Sequence, residues 1–157
     1  MRYWLLKTEP DVFSFDDLKK RPKKTEPWNG VRNYQVRNMM RDDMKVGDLG
    51  FIYHSSCEVP GVAGVVRISS EGKPDPTQFD AESEYYDKGS KKEDPRWLLV
   101  DVTWEADFKD FVTLTALREE PRLTDLITLR RGNRLSITPV EKKHFDLICK
   151  MGGAKLK

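Results

Sequence analysis

The sequence predicts an α+β fold: a mixed β-sheet or small barrel of about five or six strands, with short helices at the rims. Three observations carry this expectation. Leu49–Tyr53 and Val62–Ile68 are apolar runs, the second rich in β-branched residues, separated by the breaks His54-Ser55-Ser56 and Pro60-Gly61, as buried neighbouring strands would be. Arg96–Glu105 is a third run, with Leu98, Val100, Val102 and Trp104 on one face and Trp97, Leu99, Asp101 and Thr103 on the other. The helical segments between are short and punctuated by proline or glycine, as in barrels whose connections wrap the rims.

In chain order, Tyr3–Leu6 reads as a short strand ended by Lys7-Thr8-Glu9-Pro10, with Lys7 and Glu9 on one side and able to pair. Ser14 caps a helix, with Asp17 at the position of a capping box, Phe13 able to staple to Leu18, and Pro22 as its limit. Lys23–Pro27 is a polar loop that delivers Trp28. Asn29-Gly30 is a turn, and Asn33 caps a helix over Tyr34–Arg41. Gly47-Asp48 turns the chain into the first central strand. Ser69–Asp94 is a long polar passage whose anchors, Phe79, Tyr85 and Tyr86, favour an ordered functional loop. Thr113–Glu119 is a brief helix ended by Pro121, Thr124 caps another over Asp125–Leu129, and Leu135–Ile137 is a short strand. Thr138-Pro139-Val140-Glu141 reads as a helix start, with a Thr cap, Pro at the first position and Glu at the third. Val140, His144, Leu147, Ile148 and Met151 form its apolar face, and Gly152 stops it.

Composition narrows the function. The 157 residues suffice for one domain, and 34% charged with 38% apolar residues is ordinary for a soluble protein. Twenty-eight Lys+Arg against 26 Asp+Glu leave a net charge of +2, which permits nucleic acid without arguing for it. Basic residues nevertheless cluster at Lys19–Lys24, Lys88–Lys92 and Arg130–Arg134. Two cysteines without a CxxC pair and only two histidines exclude a zinc ligand set and fit a reduced, cytoplasmic setting. The opening residues carry only four apolar residues in a row, too few for a signal peptide or membrane span.

Catalytic patterns are weak. No Gly-rich phosphate loop is present, and Asp16-Asp17 and Asp42-Asp43 sit at helix ends where capping explains them. His54 and Ser55 point to opposite faces of a strand, so the sharpest enzyme reading is a small-molecule hydrolase or sensor using His54 and Cys57. Binding is better supported. Four tryptophans, small polar groups where a central strand stops, and separated basic runs suit a module that encloses a planar group and holds adjoining phosphates. Trp28, held on a turn beside a helix N-terminus, is either a lid on the core or a stacking wall.

Seven blocks add a resemblance: Tyr3-Trp4-Leu5-Leu6-Lys7-Thr8-Glu9-Pro10, Trp28-Asn29-Gly30-Val31-Arg32-Asn33-Tyr34, Val46-Gly47-Asp48, Phe51-Ile52-Tyr53-His54-Ser55, Asp75-Pro76-Thr77, Pro95-Arg96-Trp97, and Arg131-Gly132-Asn133-Arg134-Leu135-Ser136-Ile137-Thr138-Pro139-Val140. In this order the chain resembles the EVE domain family of the PUA-like superfamily, in particular its stand-alone bacterial members. The resemblance implies a PUA-like barrel forming one domain over residues 1–153, with a tail at 154–157. It also implies a non-catalytic nucleic-acid-binding module, without cofactor or metal, that accommodates a modified nucleobase such as a modified cytosine in DNA or RNA. Carried onto this chain, Trp28 forms a wall of the base pocket, Asn33 caps the helix beside it, His54 and Ser55 line the floor, and Trp97 and Ser136 lie near. Arg32, Arg131 and Arg134 are the expected phosphate or base-edge contacts. Lys7 and Glu9 serve the pocket or only lock the first strand, and Tyr34 and Tyr53 support it. A PUA-like module binding structured RNA without reading a modification is the alternative.

Overall fold

Strands β3 (Leu49–His54) and β4 (Gly61–Ile68) take the centre of the sheet because both carry apolar residues on both faces. The structure, a computed structural model, describes residues 1–156, so the last position of the expected 154–157 tail lies outside the described residues. The other elements, in chain order, are β1 (Tyr3–Thr8), α1 (Phe15–Lys20), β2 (Thr25–Pro27), α2 (Tyr34–Asp42), β5 (Lys73–Pro74), β6 (Leu98–Leu99), β7 (Asp101–Thr113), α3 (Leu114–Glu119), β8 (Ile137–Val140) and α4 (Lys142–Gly152). Single 3-10 turns at Pro22–Lys24, Pro76–Phe79, Pro121–Leu123 and Ile127–Leu129 complete them.

Six strands form one sheet in the order β2-β7-β4-β3-β1-β8, while β5 and β6 pair separately. β1 runs parallel to β3, with Leu5 opposite Phe51 and Thr8 opposite His54; the other pairs are antiparallel. A parallel pair needs a long crossover, and α1, β2 and α2 lie within it. Alternation along β1 and β3 sends Trp4, Leu6 and Ile52 to one layer with Phe15, Leu18, Val36 and Met40 of α1 and α2. Leu5, Phe51 and Tyr53 go to the opposite layer with Leu117 of α3 and Phe145 and Ile148 of α4. Register shifts between Val62 and Gly64 and between Val65 and Val66 bend β4 against the long β7, as bulges do. The result is a curled half-barrel with β2 and β8 at its edges.

Local signals are realised where the chain makes its own partners. Ser14 and Asp17 form the reciprocal capping box (3.0 and 2.9 Å), and Asn33 Oδ1 accepts the Val36 N–H at 3.1 Å. The Gly47-Asp48 turn is anchored by the buried Asp48 carboxylate, which accepts from the backbone of Arg2 and Lys45 and from the Trp4 indole.

Several expectations are corrected. Thr138-Pro139-Val140 does not open a helix: it lies in β8, opposite Leu5, Trp4 and Tyr3. Pro139 is tolerated there because an edge strand has one unpaired side, and buried Thr138 bonds Thr128 through their hydroxyls at 3.0 Å. The short strand expected at Leu135–Ile137 is thereby displaced to Ile137–Val140. Helix α4 starts only at Lys142, and its left-handed stop is Gly153 (φ 69°) rather than Gly152, which is buried against the Phe108 ring. Asp125–Leu129 forms no α-helix, and Thr124 follows a 3-10 turn instead of capping a helix. The strand begun near Arg96 breaks at Val100, then continues as β7 to Thr113, and the supposed loop before Trp28 holds β2.

Gly64 offers a direct test of the packing. A Cβ there would lie 2.2 Å from the Phe15 ring. Gly64→Ala is therefore expected to destabilise the fold by about 1–3 kcal/mol through overpacking, read as a lower midpoint in thermal denaturation. An unchanged midpoint would show that the ring has room to yield.

Candidate functional site

The C-terminal end of β1 opens into a cleft of about 540 Å³. Lys7 and Thr8 of β1 and the following Glu9 line it, with Ser136, whose carbonyl accepts the Lys7 N–H at 2.8 Å. Trp28, Asn29 and Gly30 line it from the loop after β2, and Phe13 and Tyr85 add aromatic surface. Trp28 is only 8% exposed: its N–H bonds the Val100 carbonyl at 2.9 Å, and the Phe13 ring meets it edge-on with centroids 6.0 Å apart. Its indole is a core residue that also lines the cleft.

The far wall is held by a buried carboxylate. Asp75, fully buried, accepts the Gly30 N–H at 2.8 Å, Arg32 Nη1 at 3.1 Å, and the Thr77 N–H and hydroxyl at 2.8 and 2.6 Å. Those four bonds saturate both oxygens. Burial alone would raise its pKa, but the bonds from Thr77, Gly30 and Arg32 outweigh burial and hold the carboxyl below its ordinary range. Arg32 is equally engaged: Nε and Nη2 donate to the Tyr85 carbonyl, Nη1 to Val31 and Asp75, and Nη2 to the Thr77 hydroxyl. All five of its N–H groups have acceptors.

Around Arg32 the aromatic residues stack. Its guanidinium lies 5.5 Å from the Tyr85 ring centre and 5.4 Å from that of Trp97. Trp97 stacks on Tyr34 at 4.8 Å, and the Arg37 guanidinium lies 4.8 Å from the Tyr34 ring centre. Each cation in such a column is attracted to the π-faces it meets, and Trp97 and Tyr34 stack directly on each other. At its end Tyr85 presses on Gly30, where a Cβ would fall 2.6 Å from the ring and φ is +83°, so only glycine fits. Buried Gln78 ties the same passage to the Trp97 backbone, and Asp87 accepts the Trp97 indole N–H at 2.7 Å. The long polar passage is thus ordered, as its anchors suggested.

The structure brings together Trp28, Ser136, Lys7, Glu9 and Arg32 and places the other expected residues elsewhere. His54 is not the floor. The parallel register sets it beside Thr8, and its Nε2 accepts the Phe15 N–H at 3.1 Å. Burial lowers its pKa against the opposing pull of Asp16, so the ring is neutral with its proton on Nδ1, and Nε2 is unavailable as a base toward Cys57. Ser55 only continues the β1–β3 ladder through its N–H to Thr8. Tyr53 is buried in the layer on the opposite side of the sheet. Trp97 and Tyr34 stand behind Tyr85 in the column, and Asn33 is the exposed cap of α2. Lys7 and Glu9 share the cleft without an ion pair among the described residues. Burial pulls the Lys7 pKa down. Arg131 and Arg134 are exposed on the turn around Gly132, just before Ser136. Sequence reasoning missed Asp75 and Tyr85 as site residues: the first stood only within the block Asp75-Pro76-Thr77, the second only as an anchor of the polar passage.

The EVE domain family model matches residues 2–151. The chain belongs to the EVE domain family. Thymocyte nuclear protein 1 of mouse is 40% identical over 93% of this chain and 71% of its own length, and the human protein 39% over 93% and 72%. Among solved structures, human THYN1 protein in complex with 5-methylcytosine containing DNA has a TM-score of 0.91 at 38% identity, covering 97% of this chain and 98% of that one. A hypothetical protein from Leishmania major has a TM-score of 0.90 at 41% identity, covering 98% and 95%. The PUA-like half-barrel implied by the family is the fold observed. No helix among the described residues is long and apolar enough to cross a membrane.

Asp75→Asn is expected to destabilise this EVE domain at neutral pH by about 1.5–3 kcal/mol, the range for hydrogen bonds to a charged group. Because the folded pKa of Asp75 lies below the unfolded one, its contribution is complete at neutral pH. It fades below about pH 4, as pH falls through the folded value. Urea denaturation from neutral to acid pH should show a shallower acid decline for Asp75→Asn than for the parent; equal declines reject the assignment.

Proposed function

We propose that this EVE domain is a non-catalytic nucleic-acid-binding module whose cleft receives a modified nucleobase, such as a modified cytosine, turned out of its stack. The observation that carries the reading is the cleft: aromatic surface from Trp28, Phe13 and Tyr85 beside a half-buried lysine without a counter-ion among the described residues. Its size is in the range of small-molecule sites. A displaced base is held by stacking, about 1–3 kcal/mol per base, and by hydrogen bonds to its edge. Lys7 supplies a charged donor, Thr8 and Ser136 hydroxyls, and Glu9 an acceptor suited to an exocyclic amine. The likeness to human THYN1 protein, described in complex with 5-methylcytosine containing DNA, supports the same class of partner.

Arg131 and Arg134 are the proposed phosphate contacts. Arg32 acts differently in this reading: its N–H groups are occupied, so it positions Gly30 and Tyr85 and leaves the ligand to others. The net charge of +2 makes non-specific affinity weak and salt-dependent. An added methyl gains only about 1–3 kcal/mol from an apolar niche, so selectivity for the modification is moderate.

Two substitutions test the cleft on a panel of modified DNA, plain DNA and tRNA. Trp28→Ala should erase discrimination between modified and plain oligonucleotides, whereas Lys19→Ala, on α1, should change little; equal loss on both oligonucleotides rejects the stacking role. Lys7→Gln should weaken binding of the modified oligonucleotide roughly tenfold, about 1.4 kcal/mol, without loss of fold stability, because it removes a desolvated charge. Unchanged affinity removes Lys7 from the interface, and preference for tRNA over modified DNA favours the RNA reading.

A further inference from the structure

At the mouth of the cleft stands an apolar side chain that the fold does not use. Val12 is 74% exposed and lines the cleft; no other strongly exposed large apolar residue among those described does so. It sits at the tip of a tight turn whose base is fixed. The Glu9 carbonyl accepts both the Val12 and Phe13 N–H groups, at 3.0 and 2.9 Å, and the Thr8 hydroxyl bonds the Phe13 carbonyl at 2.7 Å. Phe13 is clamped between the Trp28 indole and the Arg21 guanidinium, 5.2 Å from its ring centre. Pro10 stiffens the rising side, and valine itself has little rotamer freedom to lose.

The chemistry of the tip points at bases. Its neighbours Glu9 and Asp11 are acidic and exposed, which repels phosphates. Moving a base into the cleft leaves a gap about 3.4 Å high in the stack, and apolar side chains that enter such gaps hold a duplex open. We propose that Val12 is a wedge that occupies the duplex stack when the base enters the cleft, so that the protein takes its modified base from double-stranded nucleic acid. This rests on the base-pocket reading above and adds to it the kind of strand recognised.

The test compares Val12→Ala with the parent on a modified base in a matched DNA duplex and in the single strand of the same sequence, with 2-aminopurine beside the modified position. Val12→Ala should bind the duplex roughly tenfold more weakly, since unstacking is no longer offset, while the single strand is bound almost as before. The 2-aminopurine signal of the parent complex should report an unstacked neighbour, and that of the variant should not. The thermal midpoint of the variant should match the parent, because the side chain is exposed. Equal losses on duplex and single strand, or no loss on either, overturn the wedge. A parent that binds only the single strand overturns the wedge and leaves the pocket reading intact, whereas a parent that discriminates neither modified form from plain DNA overturns both.

Discussion

One buried carboxylate organises the cleft. Asp75 joins Gly30 and Arg32 to a passage some 45 residues away in sequence, and each of its lone pairs has a donor. A buried ion pair of this kind need not stabilise a fold more than apolar residues of equal volume would, but removing one partner strands the other. Its effect here is geometric. With Asp75 in place, the Gly30 turn has one position, Arg32 has one orientation, and the Tyr85 carbonyl and ring are held from two directions. The wall facing β1 is therefore fixed before any ligand arrives.

The same arrangement redistributes charge. Arg32 looks, by residue type and place, like a phosphate ligand, yet its guanidinium is saturated by Val31, Asp75, Thr77 and Tyr85 and enclosed by two rings. Among the residues that line the cleft, the remaining cation is Lys7, and burial already disfavours its charged form. An acceptor-rich edge placed there would regain part of what the ammonium loses on leaving water.

Sequence patterns revealed what the chain settles locally. Ser14 with Asp17, Asn33 with Val36, and the β3–β4 hairpin all find partners within a few residues or across one turn. Distance in sequence explains the failures. Thr138-Pro139 carries every local mark of a helix start, but β1, some 130 residues earlier, offers a buried pairing that outweighs a cap. His54 ends an apolar strand as a pocket residue would, yet its Nε2 is taken by the Phe15 N–H, and Thr8 beside it lines the cleft with Ser136 instead. Asp75 was visible only within the block Asp75-Pro76-Thr77, and its bonds to Gly30 and Arg32 had no trace in spacing. β2 is three residues long and ends in proline, below what periodicity can detect.

Rigidity is what a reader of one small substituent requires. A methyl group contributes about 1–3 kcal/mol only where the niche around it is already shaped. A wall that shifted with each ligand would let the unmodified base settle equally well. Natural clefts reach this precision by locking side chains through packing and further hydrogen bonds. In this EVE domain Trp28 is locked by the core, Tyr85 by the Arg32 guanidinium at its ring and carbonyl, and Gly30 by a carboxylate with no free lone pair. On the reading proposed above, the elements that contact the ligand least are the ones on which its discrimination depends.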